Sequence, residues 1–341
     1  MAAVADGSTG VAGKAASKRL SLTGVMPSVV TPFKPDGSLD EQGLRRYLDH
    51  IVGLSGVTGI LCCGYTGEGS ALTRSERIRV VEICAQAVEG RVPLIAGIES
   101  PSTDIAVANG IDAREAGASA IQVNSPFYSL LRRGFVNDAR APVAFFRRLN
   151  DQVGIPMTIF QYPRWSGLTY PVDVLEQLAT IDNVVGIKEA VDLDTYTDDY
   201  FALRGKLSLL ADNNTYALLS MLLLGADGTM VGIANVGTEL YVQLFDSAQR
   251  GDRAGAVDLT NQRLVPLMNV FARELGRTSS SFTARLKEAL VMLGLLDHAT
   301  VRGPDMPTSS AEHASIKEAL IAAGLLNSGM KPLSQREEHF S

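Results

Sequence analysis

Histidine and cysteine are scarce in this chain, with four of the first and three of the second among 341 residues. The histidines, at positions 50, 298, 313 and 339, lack the close spacing of a zinc site, which argues against a zinc-dependent mechanism. Cys62 and Cys63 adjoin in an apolar stretch and Cys84 stands alone; an odd total argues against a disulfide framework. A reducing cytoplasm is the expected compartment. Long apolar runs are also missing, because Gly, Pro or a charge interrupts each one, and this excludes a membrane-spanning helix. Basic charge is not in excess: 31 Lys and Arg stand against 37 Asp and Glu, a net charge of −6. Nucleic acid is therefore not an expected partner. Residues 1–20 carry Asp6 and no apolar core, so they read as a flexible tail rather than a signal peptide.

What the chain does have is ordinary globular composition, 46% hydrophobic and 20% charged, with length for one large domain or two average ones. From residue 24 to about 250, short β-branched or apolar runs alternate with helical patterns. Strands are predicted at Gly24–Val30, Val57–Cys63, Pro93–Gly97, Ser119–Val123, Pro156–Phe160, Val184–Lys188, Leu207–Ala211 and Gly228–Ile233. Helices are predicted between them, among others at Asp40–Leu54, Arg74–Val88, Thr103–Ala116, Pro171–Ala179 and Ala217–Leu224. Thr73 with Glu76 three residues on marks one helix start, and Gly90 and Gly117 mark helix ends.

Strands alternating with helices imply parallel pairing with both faces covered. Eight such units over about 225 residues fit a (β/α)8 TIM barrel. An open doubly wound sheet would announce a ligand through a Gly-rich turn after its first strand, and Thr31-Pro32-Phe33-Lys34 is not one. Residues 21–250 are thus read as the barrel. Residues 251–327 are read as a C-terminal helical extension, with helical patterns near 252–275, 281–295 and 311–325, and residues 328–341 as a second flexible tail.

Active sites of such barrels lie at the C-terminal ends of the strands. Those ends carry Thr31 and Pro32; Tyr65, Thr66 and Glu68; Glu99; Pro126, Phe127 and Tyr128; Gln161, Tyr162 and Pro163; Lys188 and Glu189; Asn213 and Asn214; and Gly232 and Asn235. Lys188 is the only lysine between residues 35 and 205, and it ends the strand Val184-Val185-Gly186-Ile187. Burial favours the neutral amine, which condenses with a ketone to an iminium that acts as an electron sink. The bland alternative is a structural ion pair with Glu189. The loop from Gly64 to Gly69 brings backbone N–H groups and the Thr66 hydroxyl within reach of an anion such as a carboxylate, though a plain Gly-rich turn looks the same. Tyr128 is either an acid–base group or a packing residue.

Taken together, Val30-Thr31-Pro32-Phe33, Thr66-Gly67-Glu68, Pro126-Phe127-Tyr128, Pro163 with Gly167, Gly186-Ile187-Lys188-Glu189-Ala190 and the segment Gly228 to Asn235 resemble the dihydrodipicolinate synthase and N-acetylneuraminate lyase family. The likeness runs from about Gly24 to Leu326. It implies a class I enzyme with no cofactor and no metal, acting on a small 2-oxo acid through a Schiff base on Lys188. By the same resemblance Thr66 and Gly67 hold the carboxylate, and Tyr128 reaches a neighbouring site across a dimer interface. A homo-oligomer, dimer or dimer of dimers, follows. Substrate contacts are expected from Glu99, Phe160, Tyr162, Trp165, Met230 and Gly232.

Two departures from the family pattern bear on the reaction. Most members carry a catalytic tyrosine where this chain has Phe160, and the loss of such a group costs roughly 10²–10⁴-fold unless it is replaced. Tyr65, Tyr162 and Glu99 are the candidate replacements; otherwise the tyrosines fill space and Glu99 points to solvent. Trp165 stands where dihydrodipicolinate synthases hold a second carboxylate with arginine, and tryptophan makes no such bidentate contact. Gly69, Pro101 and Ile105 fall at the family's lysine-feedback positions and bind an amino acid poorly. Arg132, Arg133 and Arg140 either recognise a carboxylate or form an exposed basic surface. The leading expectation is an aldolase, hydratase-aldolase or dehydratase. The alternatives are 4-hydroxy-tetrahydrodipicolinate synthase and a non-catalytic 2-oxo acid sensor or scaffold.

Overall fold

Eight short parallel strands form one sheet in the computed structural model, which describes residues 20–126, 135, 138–163, 169–273 and 279–327. Both expected tails (Leu20 apart), Tyr128, Trp165, Arg132 and Arg133 lie outside the described residues. The strands are β1 (Gly24–Val25), β2 (Ile60–Cys62), β3 (Leu94–Ile98), β4 (Ala120–Asn124), β5 (Met157–Gln161), β6 (Val184–Glu189), β7 (Ser208–Ala211) and β8 (Gly228–Thr229). From β2 to β8 each strand pairs with the next in sequence, and β1 pairs with β8. Bridges Val25 to Val57 and Ser28 to Leu61 join β1 to the β2 side and close the ring. The expected barrel is what forms.

The outer strands are shorter than their apolar runs. Pro27 has no N–H to donate toward β2, so that side of β1 is held only by the bridges at Val25 and Ser28, while Met26 and Ser28 still donate to the Thr229 and Val231 carbonyls on the β8 side. After β8 the chain turns into a short 3₁₀ segment, Ile233–Asn235. Side chains hold that turn: Asn214 Oδ1 accepts from the Ile233 N–H at 3.2 Å, and Asn235 Nδ2 donates to the Ser28 carbonyl at 2.7 Å.

Helices α1 (Glu41–Gly53), α2 (Arg74–Val88), α3 (Thr103–Glu115), α4 (Arg140–Val153), α5 (Val172–Leu178), α6 (Leu193–Leu203), α7 (Ala217–Leu224) and α8 (Thr238–Gln249) separate the strands or follow the last. The capping box expected at Thr73 and Glu76 is present, and Gly90 and Gly117 take positive φ just past their helices. One apolar layer fills the space between sheet and helices, and a smaller one inside the ring contains Leu22, Met26, Leu61, Ile95, Leu210 and Met230. Among the described residues no helix is long and apolar enough to cross a membrane.

A helical run then covers 253–273: α9 (Arg253–Leu259), a wider π-type turn, α10 (Val265–Met268) and a second π-type turn at Asn269–Arg273. Pro266 explains the first widening, because it cannot donate to the carbonyl four residues back and its ring crowds that carbonyl. Helices α11 (Phe282–Met292) and α12 (Ser310–Ala322) complete the extension. They are stapled back onto the barrel. The Arg302 guanidinium donates to both Glu76 carboxylate oxygens, at 2.6 and 2.8 Å, and to the Gly37 carbonyl.

Candidate active site

Strand alternation decides which residues at the sheet end share a wall. Phe160 of β5 is in register with Lys188 of β6, and the next pair is Gln161 with Glu189. Successive side chains point to opposite faces. The first pair lines a cavity of about 540 Å³ at the barrel mouth, and the second does not. A register slip opposite Met157 and Thr158 leaves Val185 as an extra residue in β6, which sets the phase that turns Lys188 inward.

Lys188 is buried, 4% exposed, and its Nζ lies 3.2 Å from Oδ2 of Asp212 and 4.4 Å from the centre of the Phe160 ring. Burial pushes the lysine below its ordinary pKa, against the pull of the Asp212 carboxylate. Burial likewise pushes Asp212 up, opposed by Lys188. Both groups are drawn toward their uncharged forms while each steadies the other's charge. An amine in this setting is a nucleophile with an acid at hand.

The alternative of an ion pair with Glu189 does not hold, and the partner of Lys188 is Asp212. Glu189 faces the helices instead, where Gln161 Nε2 donates to it at 3.2 Å and to Asp199 at 2.8 Å. Burial raises both carboxyls, Asp199 to about 7, so the pair is drawn toward its protonated form. Asp212 was not among the sequence candidates. It directly follows β7, and an acid one residue past a strand end was the signal available.

Tyr65, Thr66, Phe160, Tyr162 and Gly232, all singled out from the sequence, also line the cavity. Tyr65 and Tyr162 pack edge to face with centroids 6.1 Å apart, and Tyr65 is 43% exposed at the mouth. Thr66 sits against Gly232 so closely that a Cβ there would stand 2.5 Å from its hydroxyl. That approach requires glycine. Asn213, Asn214, Phe271, Ala272 and Phe282 complete part of the wall. Asn213 Oδ1 accepts from the Thr215 N–H at 2.9 Å, which forms a turn at the rim. Phe271, Ala272 and Phe282 come from the C-terminal extension, distant in sequence, and nothing local marked them.

Three expected contacts lie away from the wall. Met230 is fully buried in the apolar layer inside the ring, beneath the cavity. Gly67 gives its carbonyl to the Thr31 hydroxyl at 2.7 Å and holds the loop rather than facing the cavity. Glu99 does not point to solvent. Its Oε1 accepts from Asn124 at 3.3 Å, its Oε2 is buried without a partner, and burial pushes it up to about 7 against the influence of Arg77. Arg140 is exposed and paired with Asp138. Among the described residues no three His, Cys, Asp or Glu side chains converge as metal ligands would.

The sequence profile of the dihydrodipicolinate synthetase family matches residues 21–323. A 4-hydroxy-tetrahydrodipicolinate synthase of Rhodopseudomonas palustris is 33% identical over 288 residues, covering 84% of this chain and 92% of its own. A probable 2-dehydro-3-deoxy-D-pentonate aldolase of Escherichia coli is 29% identical over 278 residues, covering 80% of this chain and 88% of its own. Among solved structures, the dihydrodipicolinate synthase of Acinetobacter baumannii complexed with pyruvate superposes with a TM-score of 0.80 at 26% identity, covering 90% of this chain and all of its own.

Proposed function

Because the chain belongs to the dihydrodipicolinate synthetase family, we propose that it is a lyase forming a Schiff base between Lys188 and pyruvate or a related 2-oxo acid. The observation that carries this reading is the Lys188 amine itself, buried at a strand end in a cavity and held below its ordinary pKa. The relatives are named for a synthase and for an aldolase, and one solved relative is complexed with pyruvate, which fits the substrate class.

In this reading the ketone of the 2-oxo acid meets Nζ of Lys188, and its carboxylate lies against Thr66 and the backbone at Gly232. The iminium then draws electrons from the bond being made or broken at the adjacent carbon. Tyr65, Phe160, Tyr162, Phe271 and Phe282 give the remaining space an aromatic wall, suited to a partly apolar aldehyde or leaving portion. That wall favours an aldolase, hydratase-aldolase or dehydratase over the synthase reaction, whose second substrate carries another carboxylate. Three free, buried cysteines agree with a reducing cytoplasm. Tyr128 and a homo-oligomeric assembly belong to the same reading by family resemblance.

The test is turnover. A panel of 4-hydroxy-2-oxo acids is offered to wild type and to Lys188→Ala, and pyruvate or water release is followed. Release by wild type and none by the variant supports the proposal. Adduct formation without turnover of any substrate would support a sensor instead.

A further inference from the structure

Imine formation moves several protons, and the amine of Lys188 needs a neighbour able to carry them. We propose that Asp212 is that catalytic residue, shuttling protons between the Lys188 nitrogen and the carbonyl oxygen of the 2-oxo acid. The inference rests on the reading of Lys188 as the Schiff-base lysine.

The geometry singles out Asp212. Its Oδ2 is 3.2 Å from Nζ, both side chains are almost wholly buried (9% and 5% exposed), and both line the cavity. The other close neighbour of Nζ, the Phe160 ring at 4.4 Å, has no exchangeable proton. Phe271, Phe282 and Ala190 are equally inert. Thr66 offers only a hydroxyl of ordinary weak acidity, while Tyr65 lies at the mouth against Tyr162. Glu189, next in sequence, points to the opposite face of β6 and is engaged by Gln161. Among the described residues of the cavity wall, Asp212 is the carboxyl in contact with the reacting nitrogen. Burial also pulls both partners toward neutrality, so one proton passes between them without water.

The steps balance. With the proton on Asp212, the neutral amine attacks the ketone; the N–C bond forms and the C=O π pair moves to oxygen. Asp212 gives its proton to that oxygen and takes one from the nitrogen, leaving a neutral carbinolamine. It then donates again to the hydroxyl, the C–O bond breaks, water departs and the nitrogen lone pair closes the C=N⁺ bond. The carboxylate that remains faces the iminium and offsets its charge.

The rival is an ion pair that only stabilises the charge on Lys188 and moves no proton, and it makes the opposite kinetic forecast. Removing the carboxylate frees the amine from a charge-stabilising neighbour, so a purely structural Asp212 leaves adduct formation as fast or faster. The experiment mixes the full-length protein with pyruvate, quenches with borohydride at intervals and quantifies the reduced adduct by intact mass. Asp212→Asn is expected to form the adduct roughly 10²–10⁴-fold more slowly than wild type. Asp212→Glu should regain part of the loss. Asp212→Ser provides a second measurement should the asparagine variant fail to unfold cooperatively; added formate is expected to accelerate it by at least about tenfold. Adduct formation at the wild-type rate in either uncharged variant, indifferent to formate, overturns the assignment. Failure of the Lys188 reading looks different: no adduct on wild type, or an undiminished adduct in Lys188→Ala.

Discussion

Glu68, two residues past Thr66, is ion-paired with Lys287 of the C-terminal helix α11, so the loop beside the cavity and the helical extension are one structural unit. Lys287 is fully buried, donates to the Thr300 carbonyl at 2.8 Å and sits 4.2 Å from the centre of the Phe33 ring. Burial pushes this lysine down, and the Glu68 carboxylate resists. It differs from Lys188 in lying off the cavity wall and in having a backbone carbonyl as a second acceptor. Glu68 itself takes positive φ, at 52°, and also accepts from the Arg302 N–H at 3.1 Å.

Removing one partner of that pair strands a buried charge. Lys287→Met is expected to lower unfolding stability by about 3–5 kcal/mol, measured by urea titration. The double replacement Lys287→Met with Glu68→Gln should be less destabilising than the sum of the two single ones. Additive losses would mean that the pair is not coupled.

The contact between Gly232 and Thr66 gives a second expectation. A Cβ at position 232 would approach the Thr66 hydroxyl to 2.5 Å and the Phe282 ring to 2.8 Å. Gly232→Ala should therefore displace Thr66 and raise the pyruvate concentration needed for half-maximal trapping by about tenfold or more. The unfolding cost should stay near 1–3 kcal/mol. An unchanged concentration dependence would remove Thr66 from carboxylate binding.

Glu99 sets a pH dependence whose sign follows from its raised pKa. The usual value is 4.5 and the folded protein holds the proton to about 7, because burial outweighs Arg77. The folded state therefore binds the proton more tightly than the unfolded chain. This stabilising contribution is full below about pH 4.5 and is lost as the pH rises through 7. Glu99→Gln should match wild type near pH 4 and exceed it by roughly 1–3 kcal/mol at pH 8 in urea unfolding. Equal stabilities at pH 8 would contradict a buried carboxyl at this position.

The barrel was legible because β-branched runs and helical patterns alternate with little interruption, and the Thr73 capping box could be placed to the residue. Lys188 stood out by being the sole lysine across a long stretch of sequence. The alternative of an ion pair with Glu189 fails because adjacent strand residues face opposite sides and a neighbour in sequence cannot share its wall. Asp212 was hidden in Ala211-Asp212-Asn213-Asn214, a run that reads as an ordinary turn after a strand. Phe271 and Phe282 were not legible at all. They reach the cavity only because the widened helix around Pro266 and the ion pairs of Glu68 and Glu76 bring the extension back over the barrel mouth.

The central claim is that Lys188 is the residue that becomes covalently bound. Wild-type protein is reduced with borohydride in the presence of pyruvate, digested, and the modified peptide located by tandem mass spectrometry. The expected result is a single reduced pyruvyl group on Lys188, absent from Lys188→Ala. A label on any other lysine, or an equal label in the alanine variant, would contradict it.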